Sequence, residues 1–291
     1  MDSPSPTLPP ASLDDAALAH ALAAGAAEVL LALRAEVDAA GGTFVAPELK
    51  DAGDAAAQAW LAAALAAARP ADAVLSEEAA DDRGRLDAAR VWIIDPLDGT
   101  REFAERPEAD SPAGVWRDDF AVHVALWERG AGLTAGAVAL PARGQVPTTA
   151  DGVVPDDDSA AVLEGRRPLR IAASRSRPPA FVSALAERGD VELVPMGSAG
   201  VKVLAVADGT VDAYVHGGGQ YEWDSAAPVA VARSRGLVCT RLDGSELEYN
   251  RENPWLPDLF VCPPALAPRL RELLGTVGVA SVVGADSKEG A

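Results

Sequence analysis

The stretch VWIIDPLDGTREF, residues 91–103, ends an apolar run on two carboxylates, Asp95 and Asp98. Burying unpaired charge is costly, so two like charges closing a core strand call for something positive between them. Pro96 and Leu97 force a turn, and Gly99 allows a backbone geometry closed to other residues. Such a turn can aim both carboxylates and a main-chain carbonyl at one point. Ligands that are all oxygen favour a hard cation, Mg2+ or Mn2+. Taken alone, D-x-x-D-G is also an ordinary Asp-capped turn. Three further acidic features weigh against that plain account. In VLSEEAADD, Glu77 and Glu78 follow directly on another apolar run, where a solvated loop is the alternative. In YEWDSAAPVAVA, Asp224 stands between an aromatic residue and an apolar helix. There it could be a helix N-cap, with Pro228 at or near the first turn. In DAGD, Asp51 and Asp54 fall at an expected helix start, where acids also suit the dipole. Together these put acids at the ends of several core elements, which a structural account does not require. The D-x-x-D spacing differs from the D-x-D typical of an aspartyl-phosphate mechanism, so a carboxylate nucleophile is disfavoured.

The elements that must position these residues can be read from periodicity. A helix is expected from a Ser12/Asp15 capping box to about Ala39, a loop or loose hairpin over 41–54, and a second helix over Ala55–Ala68, stopped by Pro70. Strands are expected at 73–75, 91–94, 120–127 and 133–140, the last two as a hairpin. Residues 141–168 are loop-rich, and DGVVPDDDS is a candidate mobile segment. Beyond it, strands near 169–173, 191–195, 211–215, 237–241 and 258–262 alternate with helices near 179–188, 198–208, 225–235 and 264–274. This pattern predicts an α/β chain of layered α+β character. The expected organisation is a disordered tail over 1–12, an N-terminal α+β subdomain over 13–165 carrying most of the candidate metal ligands, and a closely packed C-terminal α/β subdomain over 166–291.

Bulk composition excludes several classes. The 291 residues are 49% hydrophobic, enough for a large core, and carry a net charge of −19. Nonspecific nucleic-acid binding needs a basic footprint, so no nucleic-acid partner is expected. No apolar run reads as long enough to span a bilayer, and the N-terminus lacks the pattern of a signal peptide. The reading is a soluble, cytoplasmic protein with no membrane partner. Cys239 and Cys262 are the only cysteines, too few for a disulfide scaffold, and are expected to be structural.

The order E-E, then D-P-L-D-G-T-x-x-F, then W-D-x-A-A resembles the inositol monophosphatase superfamily of Mg2+-dependent, Li+-sensitive phosphatases, over about residues 13–275. VLSEE, WIIDPLDGTREF, ALPARG, GSAGVK and GGQYEWDSAAP resemble its CysQ branch of 3′(2′),5′-bisphosphate nucleotidases. The resemblance implies a sugar-phosphatase fold of alternating helix and sheet layers, and a phosphoric monoester hydrolase. It also implies removal of the 3′-phosphate of 3′-phosphoadenosine 5′-phosphate (PAP), PAPS being a further candidate, in support of sulfate assimilation. Inositol-1-phosphate or fructose-1,6-bisphosphate hydrolysis is the alternative, and a non-catalytic metal- or nucleotide-binding protein a second. Residue by residue, Glu77, Asp95, the main-chain oxygen of Leu97, Asp98 and Asp224 would hold two or three Mg2+, or Mn2+. Asp54 and Thr100 would position the attacking water, and the amides of Gly99 and Thr100 would face the phosphate. A homodimer is implied as well. ELKDAGD departs from the relatives' P-V-T-x-A-D by placing Asp51 where threonine is common. Residues 104–119 form a longer connection, either a lid or a passive insertion.

A bisphosphate substrate also needs cations beyond the metal site. In GSAGVK, Ser198 and neighbouring amides could bind an anion or simply cap a helix, and Lys202 could reach a phosphate. In AASRSR, Ser174 and Arg175 could point into the cleft or into solvent. His216 could touch phosphate or base, or be structural. Trp223 is read as packing, and His20 and His123 as core residues without a role.

Overall fold

Two long helices, α1 (Asp15–Ala39) and α2 (Ala46–Ala68), precede a first sheet of β1 (Ala73–Ser76), β2 (Arg90–Asp98), β3 (Ala121–Glu128) and β4 (Gly132–Ala139), paired in that order. The one-turn helix α3 (Thr100–Phe103) follows β2. After α4 (Ser159–Leu163), a second sheet forms from β5 (Leu169–Ser174), β6 (Val191–Met196), β7 (Ala213–Tyr221), β8 (Val238–Thr240) and β9 (Trp255–Cys262). Its order is β6-β5-β7-β9-β8. Helices α5 (Ala180–Ala186), α6 (Ala199–Ala207), α7 (Glu222–Ser234) and α8 (Ala267–Thr276) connect or follow these strands. Strand β1 runs parallel to β2, and β5 parallel to β6 and β7, while the other pairs are antiparallel. This computed structural model describes residues 6–108, 111–152 and 158–279.

Strand alternation sorts the side chains into layers. On the first sheet Trp92, Ile94, Val122, Val124 and Leu126 pack under Leu18, Leu22, Leu30 and Leu61 of α1 and α2. The opposite face presents Val91, Ile93, Ala121 and Ala125 to α6 and α7, which in turn cover Tyr214, Leu259 and Val261 of the second sheet. The far face of that sheet, with Ile171, Val215 and Phe260, is closed by Val182 of α5 and Leu270 and Leu274 of α8. Helix and sheet layers thus alternate through the molecule, as expected. The central α6/α7 layer is the one that matters for chemistry, because Asp95 and His123 share the parity of Ile93 and Ala125 and face it.

Several local expectations are corrected. Helix α1 is capped by Asp14, whose carboxylate accepts from the Ala17 amide at 2.8 Å, rather than by Ser12. The same helix is long and apolar enough to cross a membrane by length and composition, contrary to the reading of the sequence. Here it forms the outer layer over the first sheet. Helix α2 begins at Ala46, not Ala55, with Pro47 in the first turn, where its missing N–H costs nothing. Gly53 was the misleading signal. It is a packing glycine, since a Cβ there would lie 2.6 Å from Phe103 Cε1. Helix α7 starts at Glu222, which places Pro228 inside the helix rather than near its first turn. Cys239 and Cys262 are both buried, as expected of structural cysteines.

Residues 104–108 and 111–119 are tied to α1. Asp38 accepts from Trp116 Nε1 at 2.8 Å, the Gly114 amide at 2.9 Å and Arg106 at 2.9 Å. Buried Arg34 donates to the carbonyls of Phe103 and Arg117. Of the tail expected over 1–12, residues 1–5 lie outside the described residues; the Pro6 and Ala11 carbonyls accept from Trp60 and Arg69 of the second helical hairpin arm. The core of DGVVPDDDS, residues 153–157, also lies outside the described residues.

Candidate active site

The end of β2 is irregular where the chemistry gathers. Pairing with β3 is continuous to Asp95↔His123, breaks over Pro96-Leu97, and resumes at Asp98↔Ala121. Proline cannot donate to the ladder, so the strand bulges and both acids turn toward the central helices. The Leu97 amide donates to Asp95 Oδ1 at 3.0 Å, and Thr100 Oγ1 donates to the Leu97 carbonyl at 3.2 Å. Gly99 takes φ +88, and a Cβ there would stand 3.2 Å from the Asp119 carbonyl and from Phe120 Cα. That position needs glycine both for its conformation and for its space. Because β1 runs parallel to β2 with Ser76 opposite Ile94, Glu77 emerges beside Asp95. Gly53 lets α2 lie against Leu97 and Phe103, which brings Asp54 to the edge of the same turn.

Helices α6 and α7 complete the site. Asp98 Oδ2 accepts from Ser198 Oγ at 2.5 Å and from the Gly200 amide at 2.8 Å. Ser198 also caps α6 by accepting from the Val201 amide at 3.0 Å. The anion that this helix start binds is therefore the Asp98 carboxylate itself, which occupies the groups expected for a substrate phosphate. Asp224 Oδ2 accepts from the Tyr221 amide at 2.6 Å, so the residue reinforces its helix start and still offers a second oxygen. Asp95, Asp98 and Asp224 each present a carboxylate oxygen within 4.8 Å of the others.

His123, which the sequence reading left without a role, joins these elements. It is fully buried, with Nδ1 3.0 Å from the Trp223 carbonyl and Nε2 3.2 Å from Asp98 Oδ2. Glycine at 200 is required beside it, because a Cβ there would lie 2.1 Å from Nε2. Strand parity was the signal that could have found it: a polar side chain pointing the same way as Asp95.

The electrostatics are those of an acid cluster short of positive charge. Burial first, then Asp98, Glu77 and Asp224, push the Asp95 carboxyl well above the usual range. Asp224 is pushed up to about 7 by burial and by Asp98, and Asp54 to about 7 by burial, Glu78 and Asp51. Glu77 is exposed by surface area, yet enough protein surrounds its carboxylate for desolvation to push it up to about 7 as well. It stands outside the tight trio, at the rim. Asp98 is the exception: burial would raise it, but His123, Ser198 and Lys202 hold it down to about 2. Asp95 Oδ2 is buried with no hydrogen-bond partner among the described residues. An orphaned buried carboxylate oxygen at the centre of three acids is what a divalent cation would satisfy, and an all-oxygen donor set suits a hard one. The residues present fit such an ion.

A cavity of about 520 Å³ opens beside Asp224 and is lined by Ser174, Lys202, His216 and Gln220, among others. Lys202 is buried, its Nζ 5.4 Å from the Tyr214 ring centroid, and burial lowers its pKa. His216 Nε2 lies 2.8 Å from the Gly219 carbonyl, which assigns the proton to that nitrogen. Burial lowers its pKa too. Ser174 Oγ accepts from the Arg177 amide at 3.2 Å. Arg175 is engaged by Glu102 at 2.8 Å and by Glu105, and so braces the end of β5 against α3. Trp223 packs against the core, as expected, and stacks on Tyr221 with centroids 4.7 Å apart.

Three comparisons bear on this arrangement. The model of the inositol monophosphatase family matches residues 12–276. A 3′-phosphoadenosine 5′-phosphate phosphatase of Mycobacterium leprae is 50% identical over 271 residues, 89% of this chain and 93% of that protein. The 3′(2′),5′-bisphosphate nucleotidase CysQ of Escherichia coli K12 is 30% identical over 70% of this chain and 81% of its own length. Among solved structures, CysQ from Bacteroides thetaiotaomicron superposes with a TM-score of 0.66 at 26% identity, covering 86% of this chain and 97% of that one.

Proposed function

Since the chain belongs to the inositol monophosphatase family, we propose that it is a Mg2+-dependent phosphatase removing the 3′-phosphate of 3′-phosphoadenosine 5′-phosphate to give AMP. The observation that carries this reading is the convergence of Asp95, Asp98 and Asp224 around an unpartnered buried oxygen, beside a cavity holding a buried lysine. Glu77, Asp95, the Leu97 carbonyl, Asp98 and Asp224 would hold the ions, two or three Mg2+ or Mn2+. When bound, such ions acidify a water and neutralise charge on a leaving oxygen.

The chain's own groups do the remaining work. Phosphoryl transfer depends mainly on positioning and charge neutralisation, with no protein nucleophile required. Asp54, with its raised carboxyl, and Thr100, anchored on the Leu97 carbonyl, orient the attacking water. The amides of Gly99 and Thr100 face the phosphate at the start of α3. Ser198, Gly200 and His123 keep Asp98 aimed at the trio. Lys202 offers the buried positive charge for the second phosphate, with His216 and Ser174 beside it. Arg175 would join only by leaving Glu102 and Glu105. The halves 13–165 and 166–291 act as two subdomains of a cytoplasmic, Li+-sensitive homodimer.

The test is kcat/KM for PAP, inositol-1-phosphate and fructose-1,6-bisphosphate with Mg2+, repeated with Asp95→Asn. PAP should rank first, and the variant should lose several orders of magnitude in kcat. A preference for either sugar phosphate, or near-normal turnover by the variant, overturns the reading. Binding of PAP without turnover of any monoester would mark a non-catalytic protein.

A further inference from the structure

The cavity beside Asp224 does not end at Lys202 and His216. A larger one, of about 1000 Å³, adjoins it, and the two share Gly217, Gly218, Gly219 and Trp255 in their walls. The shared threshold is built from bare backbone. Strand β7 pairs regularly with β9 to Gly217↔Asp258, slips, and resumes at Gln220↔Leu256. Gly218 and Gly219 bulge out at φ +109 and +97. A Cβ on Gly217 would strike the Phe181 ring at 2.8 Å and one on Gly219 the Trp255 indole at 2.5 Å, whereas above Gly218 there is open space. The result is a stretch of bare backbone, exposed at Gly218, between two aromatic side chains. Trp255 is 40% exposed, unusual for so large an apolar group.

A second observation points to a ligand. Gln220 is 7% exposed, lines the smaller cavity, and its Nε2 has no hydrogen-bond partner among the described residues. Leaving a buried amide donor unpaired is costly, so a partner supplied from the cavity accounts for it. A polyol phosphate would need neither an aromatic wall nor a floor free of side chains. A nucleoside needs both, together with a polar group at the edge of its sugar or base.

We infer that the Gly217–Gly219 bulge, Trp255 and Gln220 form the nucleoside seat of the enzyme, with the purine lying over Gly218 against Trp255 and the Gln220 amide hydrogen-bonding the nucleoside. The inference rests on the proposed PAP phosphatase activity and assigns its preference for a nucleotide to these residues.

The test compares PAP with its abasic counterpart, an anhydroribitol carrying the same two phosphates, on the full chain. In the wild type, kcat/KM for PAP should exceed that for the abasic compound by about 5- to 150-fold, the range that stacking one base on an aromatic side chain supplies. Trp255→Ala should remove most of that ratio through KM, leaving the abasic substrate unchanged. Gln220→Leu should raise KM for PAP while thermal stability holds or rises, because it deletes an unpaired buried donor. Equal turnover of the two compounds by the wild type overturns the seat and leaves the phosphatase reading standing. So does a Trp255→Ala variant that slows both compounds equally, or a Gln220→Leu variant that melts earlier with an unchanged KM ratio. A wild type that hydrolyses inositol-1-phosphate in preference to PAP overturns the phosphatase reading, and the seat with it.

Discussion

Replacing Gly200 with alanine adds one methyl group at the most crowded point of the site. Its Cβ would sit 2.1 Å from His123 Nε2, so helix or imidazole must retreat by about 1.3 Å to reach the 3.4 Å of ordinary contact. The imidazole has nowhere to go: it is fully buried and held at 3.0 Å to the Trp223 carbonyl. The helix must therefore move, and with it the Gly200 amide that donates to Asp98 at 2.8 Å. Overpacking costs about 1–3 kcal/mol and a lost hydrogen bond to a charged acceptor about 1.5–3 kcal/mol. Alanine's better helix propensity returns about 1 kcal/mol. The net expectation is a loss of about 1.5–5 kcal/mol, read by urea or thermal unfolding of the ion-free protein. Because Asp98 loses its aim, the Mg2+ concentration giving half-maximal thermal stabilisation should rise by about tenfold or more. A variant within about 0.5 kcal/mol of wild type, with unchanged Mg2+ dependence, would refute the packing argument.

Two further expectations follow from the charges. In the ion-free protein Asp54 and Asp224 titrate near 7 rather than at the ordinary 3.8, so the folded state holds their protons more tightly than the unfolded chain. Their ionisation therefore costs stability: full stability holds below about pH 4 for these groups and is progressively lost as pH rises through 7. Mg2+ offsets that repulsion, so the Tm gain from Mg2+ should be larger at pH 8 than at pH 5.5, and equal gains would contradict the cluster's role. Lys202→Met should raise KM for PAP about 10- to 100-fold, the worth of a lost charge-assisted contact, while kcat changes little. A fall in kcat with KM unchanged would place Lys202 elsewhere in the cycle.

Much of the fold was legible because its signals are local. Apolar periodicity located every strand of both sheets, though β7 runs on to Tyr221, six residues past its expected end, and the alternation of strands and helices after residue 168 marked the layered half. The misreadings share one cause. Gly53, with Asp51 and Asp54 around it, has the composition of a turn, yet lies within α2 because Phe103 and Leu97 approach it from another part of the chain. Pro228 looks like a first-turn residue but sits inside α7, which begins three residues earlier than expected. In each case a tertiary contact overrode a local propensity, since Glu222 at the start of α7 is buried and accepts from the Asn250 and Arg251 amides.

The site divides in the same way. Acids at the ends of apolar elements, costly without a compensating cation, raised Asp95, Asp98 and Asp224 together with Glu77 and Asp54, and the family resemblance assigned their roles. That Ser198 and Gly200 would hold Asp98, that Arg175 would be paired to Glu102 and Glu105, and that His123 would bridge two elements could not be read from sequence. These pairings join residues 25 to 102 positions apart, and a side chain's partner is set by which layers meet, a property of packing that no local window carries.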